Sequence, residues 1–159
     1  MSLNYTKKTL QHFRNPKNIG QLEDADATAQ IGNAICGDQL FFSIKVKDKI
    51  IKDIKFLSFG CASNIATASV MTEMVKGKTL DEAKKLDWKK IVDELDGLPS
   101  QKIHCSVLAL EGLRDVISNY EKKHPEIFAK KDFAVKKVKN GAGKNKDIIK
   151  KTKDNLKKN

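Results

Sequence analysis

The segment LFFSIKVKDKIIKDIKFLSFGCAS, residues 40–63, contains the pattern that decides the fold. Apolar side chains alternate from Leu40 to Val46, which is the period of a strand with one buried face. A short charged turn follows, and the run from Ile50 to Phe59 predicts a second strand, antiparallel to the first. The segment therefore predicts a β-hairpin whose second strand ends at a glycine and a cysteine.

Helical patterns lie on both sides of this hairpin. Before it, Asn4 is a candidate N-cap for a short helix that stops ahead of Asn15-Pro16. After it, four helices are predicted from capping and stop signals and apolar periodicity. Their boundaries are marked by Asn64 and Gly77, by Thr79, by Asp87, and by Ile103 and Lys123. The buried stripe of the last helix is predicted at Ala109, Leu113, Val116, Ile117 and Tyr120.

Strands followed by helices indicate an α+β fold. We expect a small antiparallel sheet of about three strands, two of them located by pattern, with helices packed on one face and a long C-terminal helix. This domain is expected to span residues 1–128. Residues 129–159 are Lys-rich and are predicted to be disordered or weakly helical.

Most of the net charge of +11 belongs to this tail. Residues 130–159 contain 12 Lys and 3 Asp, so the rest of the chain is nearly neutral. A solvated charged segment is the favoured interpretation. The alternatives are docking to an acidic partner, anionic lipid or nucleic acid, and nucleic-acid binding would be lost on deleting the residues after Lys130.

The cysteine content favours a reducing compartment. No run of about 20 apolar residues is present, so no membrane span is predicted, and the N-terminus lacks the apolar stretch of a secretory signal. Three cysteines, Cys36, Cys61 and Cys105, are too few and too odd in number for a disulfide framework. We therefore expect a cytoplasmic protein with free thiols.

Each cysteine lies at the edge of a predicted element. Cys36 precedes the hairpin, Cys61 lies between the second strand and a helix, and Cys105 follows His104 at the start of the long helix. Helix N-termini lower the pKa of a thiol, and Cys61 and Cys105 are both placed to benefit. Asp38, two residues after Cys36, adds a carboxylate to the set.

Thiolates with an imidazole suit zinc, iron or an iron–sulfur cluster, and a carboxylate is a harder ligand that suits ferrous iron. Such a mixed site is expected to hold a cluster weakly, which favours a protein that gives its cluster away. A structural zinc module is the first alternative, although Asp38 is an unusual ligand for a tight site. The second alternative is that the three cysteines serve only as small buried hydrophobic residues.

A thiol enzyme is a further alternative. It would use a Cys–His pair, but His104 and Cys105 are neighbours on a helix and point about 100° apart. We therefore expect them to be poorly placed as base and nucleophile. Cys61 with His104 stays open as a pair.

Five segments of the sequence resemble the NifU/IscU-type iron–sulfur cluster scaffolds. They are YTKKTLQHFRNPKNIG (5–20), ICGD (35–38), FGCAS (59–63), TEMVKGKTLDEA (72–83) and LDGLPSQKIHCSVLALEGL (95–113). The resemblance runs from Tyr5 to about Tyr120 and is closest to the N-terminal domain of NifU.

The resemblance implies a role for each candidate residue. Cys36, Cys61 and Cys105 match the cluster-assembly thiols, and Cys105 also matches the position that accepts persulfide sulfur. Asp38 matches the aspartate associated with cluster lability and release. His104 matches a ligand to zinc or iron. The cargo implied is a transient [2Fe-2S] cluster built from iron and sulfide, with zinc bound when no cluster is present.

The resemblance also implies a carrier that is not an enzyme. Its partners would be a cysteine desulfurase, an electron donor and acceptor apoproteins, and the sequence leaves open whether it is a monomer or a homodimer. Three departures stand out: Ala62 replaces the usual glycine, LPSQK (98–102) replaces LPPVK, and no cysteine follows Cys105. The second weakens the expectation of an Hsp70-type chaperone partner, and the third indicates that the further NifU modules are absent.

Overall fold

The computed structural model describes residues 4–35 and 37–129. Contacts within the chain divide it into two units, Met1–Lys123 and His124–Asn159. The first unit contains the sheet and the named helices. In the second, the described residues form a short helix over 125–129. Beyond residue 129 the predicted tail lies outside the described residues. Its boundary and its disordered or weakly helical state therefore stay predictions.

The sheet has three antiparallel strands in the order β1-β2-β3. They are β1 (Ala27–Gly32), β2 (Gln39–Lys47) and β3 (Ile50–Phe59). The β2–β3 connection is a two-residue turn in which Asp48 and Lys49 both have positive φ, 54° and 62°. Such a turn matches the right-handed twist of the strands it joins.

The helices of the first unit are five α-helices and one 3-10 turn: α1 (Lys7–Arg14), α2 (Ala62–Val75), α3 (Leu80–Lys84), α4 (Trp88–Glu94), the turn (Ser100–Lys102) and α5 (Ile103–Lys123). Thr79 and Glu82 form the predicted capping box at the start of α3. Asp87 caps α4 as predicted, and α5 has its predicted bounds.

The core lies between the sheet and helices α2 and α5. Leu40, Phe42 and Ile44 of β2 are buried, which confirms the predicted inward face. The five residues predicted for the buried stripe of α5 are all buried. Gly112 lets α5 approach the sheet closely, since a Cβ there would lie 2.6 Å from the Phe42 ring. The α+β prediction, with helices on one face and a long C-terminal helix, is confirmed.

Three local features differ from the sequence prediction. Thr6, not Asn4, caps α1, because its hydroxyl accepts a hydrogen bond from the Thr9 N–H. The position of β1 was not predicted, because its sequence, ATAQIG, buries only small side chains. In α2, Ser63 to Thr72 are almost all buried, which is more than the apolar periodicity that predicts the helix implies, because the helix is enclosed by α1, α5 and β3.

None of the helices in the described part of the chain is both long enough and apolar enough to cross a membrane.

Candidate metal centre

Three of the predicted site residues meet at one end of the sheet. Asp38 immediately precedes β2, Cys61 is the N-cap of α2 just after β3, and Cys105 lies in the first turn of α5. Residue 39 pairs with residue 59 across β2 and β3, so the chain positions before one strand and after the other are neighbours. The antiparallel register therefore places the carboxylate beside the first thiol, and α5 brings the second.

The donor atoms of these residues form a compact group. The Cys61 and Cys105 sulfurs are 3.8 Å apart, and Asp38 Oδ2 lies 3.8 Å from Cys61 Sγ and 3.7 Å from Cys105 Sγ. All three donor atoms lie within 4.8 Å of one another. The sulfurs are too far apart for a disulfide, whose S–S bond is about 2.05 Å, and both thiols are free. Two soft sulfurs and one hard oxygen are thus presented to one point, which suits zinc or iron.

Asp38 also fixes the backbone of the site. Its Oδ1 accepts a hydrogen bond from the Cys61 N–H at 3.1 Å, while Oδ2 faces the two sulfurs. The residue is 3% exposed, and a buried carboxylate is costly unless it is bonded or neutralised. Oδ1 therefore holds the start of α2, while Oδ2 faces the two sulfurs.

The other two candidates are placed differently. His104 Nε2 lies 3.7 Å from Cys105 Sγ, but His104 is not in the group whose atoms all lie within 4.8 Å. The expectation that the roughly 100° between helical neighbours leaves His104 and Cys105 poorly placed as base and nucleophile is therefore wrong in its geometry, because the imidazole reaches the sulfur beside it. Cys36 lies outside the described residues, so its role stays a prediction.

The first thiol is the anionic one. The pKa of Cys61 is lowered to about 5, first because the Cys105 thiol donates a hydrogen bond to its sulfur, with help from the Asn64 backbone N–H and the Lys102 charge. In return, the Cys61 thiolate raises the pKa of Lys102. The prediction that a helix N-terminus favours the anion holds for this cysteine.

The second thiol is the protonated one. The pKa of Cys105 is raised, first by its hydrogen bond to Cys61, then by burial and by the charges of Cys61 and Asp38. The expected lowering at the start of α5 is therefore wrong, because a neighbouring thiolate and carboxylate outweigh the helix. With its pKa raised, Cys105 is held in the thiol form, which is the less nucleophilic one, and this counts against a thiol enzyme built on Cys105 and His104 in the metal-free protein.

Sequence reasoning missed two residues that shape the site. A Cβ on Gly60 would lie 2.6 Å from both Asp38 Oδ1 and Asn64 Nδ2, so only glycine leaves room for these side chains. Asn64 itself is fully buried in the first turn of α2. The signal available in the sequence was an asparagine three residues after the candidate ligand Cys61. The side chains that surround it are known only from the structure.

The chain is similar to known proteins along most of its length. Residues 4–126 match the NifU-like N terminal domain. The chain is 48% identical to the iron-sulfur cluster assembly scaffold protein IscU 1 of Archaeoglobus fulgidus, over 84% of this chain and 87% of that protein. It is 49% identical to IscU of Aquifex aeolicus, over 80% and 82% of the two chains.

Among solved structures, the chain resembles the N-terminal part of a nitrogen-fixing NifU-like protein from Brucella abortus, with a TM-score of 0.60 at 25% identity. That likeness covers 74% of this chain and 94% of the other. The match to the domain extends over nearly all of the described residues. The chain belongs to the NifU-like N-terminal domain family.

Proposed function

We propose that this protein is a scaffold on which an iron–sulfur cluster is assembled and from which it is transferred to apoproteins. The observation that carries the proposal is the convergence of Asp38, Cys61 and Cys105, with donor atoms within 4.8 Å of one another. The IscU relatives, similar over most of their length, support it. Cys36 and His104 complete the proposed ligand set.

The cargo is a labile [2Fe-2S] cluster, and the donor set supports lability. Thiolates hold sulfide-bridged iron strongly, whereas the harder Asp38 carboxylate holds it less firmly. Asp38 also lies within 3.8 Å of both sulfurs, so its negative charge opposes a fully thiolate-bound anionic cluster. Exchange of this ligand for one from an acceptor protein is the proposed route of release, and zinc is the proposed occupant when no cluster is present.

Sulfur is proposed to arrive at Cys105 from the persulfide of a cysteine desulfurase. The Cys105 thiol gives up its proton, the resulting thiolate attacks the outer sulfur of that persulfide, the donor's S–S bond breaks, and the donor cysteine leaves as a thiolate that takes up the released proton. A new S–S bond then holds the sulfur on Cys105. Reduction of this sulfur to sulfide takes two electrons, so an external electron donor is required.

Metal binding explains how Cys105 becomes the acceptor. Without metal, Cys61 is the thiolate and its charge keeps Cys105 protonated. A metal ion on Cys61 and Asp38 occupies the competing thiolate and neutralises the charge that raises the pKa of Cys105. We therefore expect desulfurase to add one sulfur to Cys105 in the Fe(II)-loaded protein and to Cys61 in the metal-free protein. Peptide mass spectrometry after blocking free thiols would measure this.

The scaffold itself is tested by anaerobic reconstitution. The protein would be mixed with Fe(II), cysteine, a reductant and a catalytic amount of desulfurase, and the visible spectrum, iron and acid-labile sulfide per chain would be recorded. We expect sulfide-to-iron charge-transfer bands that Cys36→Ala abolishes and Asp38→Ala makes longer-lived. Asp53→Ala is a matched control, since that carboxylate pairs with Lys76 away from the donor group.

The competing function is a zinc-binding structural module. A structural zinc site holds its metal tightly and supports the fold. A colourless protein that keeps zinc throughout the reconstitution would contradict the scaffold and support the zinc module.

A further inference from the structure

Asn64 is a buried amide whose hydrogen bonding is incomplete. It is fully buried, and its Nδ2 donates to Ser58 Oγ on β3 at 3.1 Å. Within residues 4–35 and 37–129, Asn64 Oδ1 has no hydrogen-bond partner. A buried acceptor without a donor lowers stability, and each such group in a native protein requires an explanation.

The neighbour of this amide is the carboxylate of the metal centre. A Cβ on Gly60 would lie 2.6 Å from Asn64 Nδ2 and 2.6 Å from Asp38 Oδ1, so these two atoms are separated by at most twice that distance. Nδ2 is the donor side of the amide, with a second N–H besides the one given to Ser58. The donor side of the Asn64 amide is thus within that distance of the negative Asp38 carboxylate, whose Oδ1 accepts its hydrogen bond from the Cys61 N–H.

We propose that Asn64 is a positioning residue for Asp38. Ser58 fixes the amide, and the amide with the Gly60 backbone confines the carboxylate on the side away from the sulfurs. Oδ2 is thereby kept facing Cys61 and Cys105, at 3.8 and 3.7 Å. Asn64 acts through Asp38 and touches no bound metal itself. The inference rests on the proposed function only in requiring that the site holds a metal.

A positioning role explains why an amide that does not favour stability occupies this place. Alanine at position 64 would remove the Oδ1 that lacks a partner among the described residues, together with the bond to the half-buried Ser58, whose hydroxyl can turn to water. We therefore expect the melting temperature of Asn64→Ala not to fall. Loss of function without loss of stability is the signature of a group retained for its site.

The test is a double-mutant cycle read by Co(II) binding, which does not depend on cluster assembly. Wild type, Asn64→Ala, Asp38→Ala and the double variant would be titrated anaerobically with Co(II), and thiolate-to-cobalt absorption would give the affinities. We expect Asn64→Ala to weaken binding about 10-fold, a typical loss for an outer-shell partner. In the Asp38→Ala background the same change should alter the affinity by less than about twofold, because the group being positioned is gone.

Two results would overturn the positioning role: an equal loss in both backgrounds, or no loss in the wild-type background. If Asn64→Ala does not fold, Ser58→Ala takes its place, since it frees the amide without removing it. Its expected loss is about threefold, again confined to proteins that retain Asp38. Failure of the wild type to bind Co(II) at all would overturn the metal site, and this inference with it.

Discussion

The two ends of the β2–β3 hairpin are built for different purposes. At the turn end, backbone groups pair with the start of α3: Ile51 N–H donates to Lys78 O and Leu80 N–H donates to Lys49 O, each at 2.9 Å. At the open end lie the Asp38 carboxylate, two thiols and an Asn64 oxygen that has no hydrogen-bond partner in the described part of the chain. The backbone groups at the turn end are hydrogen-bonded, whereas the metal-donor atoms at the open end face a common point.

The difference extends to apolar side chains. Leu80 beside the turn is buried, whereas Ile35 and Phe59 at the open end are 97% and 78% exposed. Exposed apolar groups beside unsatisfied polar ones do not contribute to folding stability. The comparison indicates that the turn end holds the sheet to the helices, so that the open end can retain metal-donor atoms that do not favour folding.

The largest expected effect comes from adding one methyl group at the open end. Gly60→Ala places a Cβ 2.6 Å from Asp38 Oδ1 and from Asn64 Nδ2, so both side chains must move. We expect Co(II) affinity to fall about 10- to 100-fold, since the displaced carboxylate no longer faces the sulfurs. Anaerobic titration against a chelator would measure the loss.

Gly32→Ala is the matched control, because the added Cβ would lie at the same end of the sheet but at ordinary van der Waals distances, 3.4 Å from Gln39 Cγ and 3.5 Å from the Asp38 backbone oxygen. It should leave Co(II) affinity within about twofold. Equal losses in the two variants would show that the open end tolerates no added volume, and would contradict a specific role for the gap at Gly60.

An intermediate effect is expected in the pH dependence of alkylation of the metal-free protein. The thiolate is the reactive form, and the pKa of Cys61 is lowered to about 5. The rate of iodoacetamide reaction at Cys61 should therefore be half-maximal near this pH and level at neutral pH. Peptide mass spectrometry distinguishes Cys61 from the other cysteines.

Cys105→Ala removes the thiol whose hydrogen bond contributes most to that lowering. The Cys61 profile should then move to higher pH, so that alkylation still rises through the neutral range. An unchanged profile would mean that the two sulfurs do not share a proton.

The smallest effect is expected at the turn end of the hairpin. Thr79→Ala removes the capping box of α3, in which Thr79 Oγ1 accepts from the Glu82 N–H and Glu82 Oε2 accepts from the Thr79 N–H. The free energy of unfolding should fall by about 1 kcal/mol. Co(II) affinity should not change, and denaturant unfolding would be recorded beside the titration.

Glu82→Gln keeps both bonds of the capping box, since a glutamine side chain also accepts from the N-cap N–H. It should therefore lose less stability than Thr79→Ala. A loss of metal affinity in either variant would mean that the two ends of the hairpin are not independent.

The sequence predicted the parts of the fold that depend on local patterns. The alternation at Leu40 to Val46 and the capping box at Thr79 are encoded by neighbouring residues, and both are confirmed. β1 was not located because Ala27 to Gly32 has little strand propensity of its own and is held by pairing with β2. The full burial of α2 likewise depends on the elements around it, which no helical period reveals.

The site was predicted in part for the same reason. The meeting of Asp38, Cys61 and Cys105 follows from their places at element edges, together with the resemblance. The opposite pKa directions of the two thiols could not be read from the sequence, since they arise from a 3.8 Å contact between residues far apart in the chain. The roles inferred for Gly60 and Asn64 likewise depend on the side chains that meet them in space.

X-ray absorption at the zinc edge of the Zn(II)-loaded protein tests most directly whether the open end is a mixed thiolate and carboxylate metal centre. The account predicts one zinc per chain with two or three sulfurs at about 2.3 Å and at least one oxygen or nitrogen at about 2.0–2.1 Å. Asp38→Ala should change the lighter shell, while Cys61→Ala should remove one sulfur. A zinc bound by oxygen and nitrogen alone, or bound substoichiometrically with no change in either variant, would contradict the account.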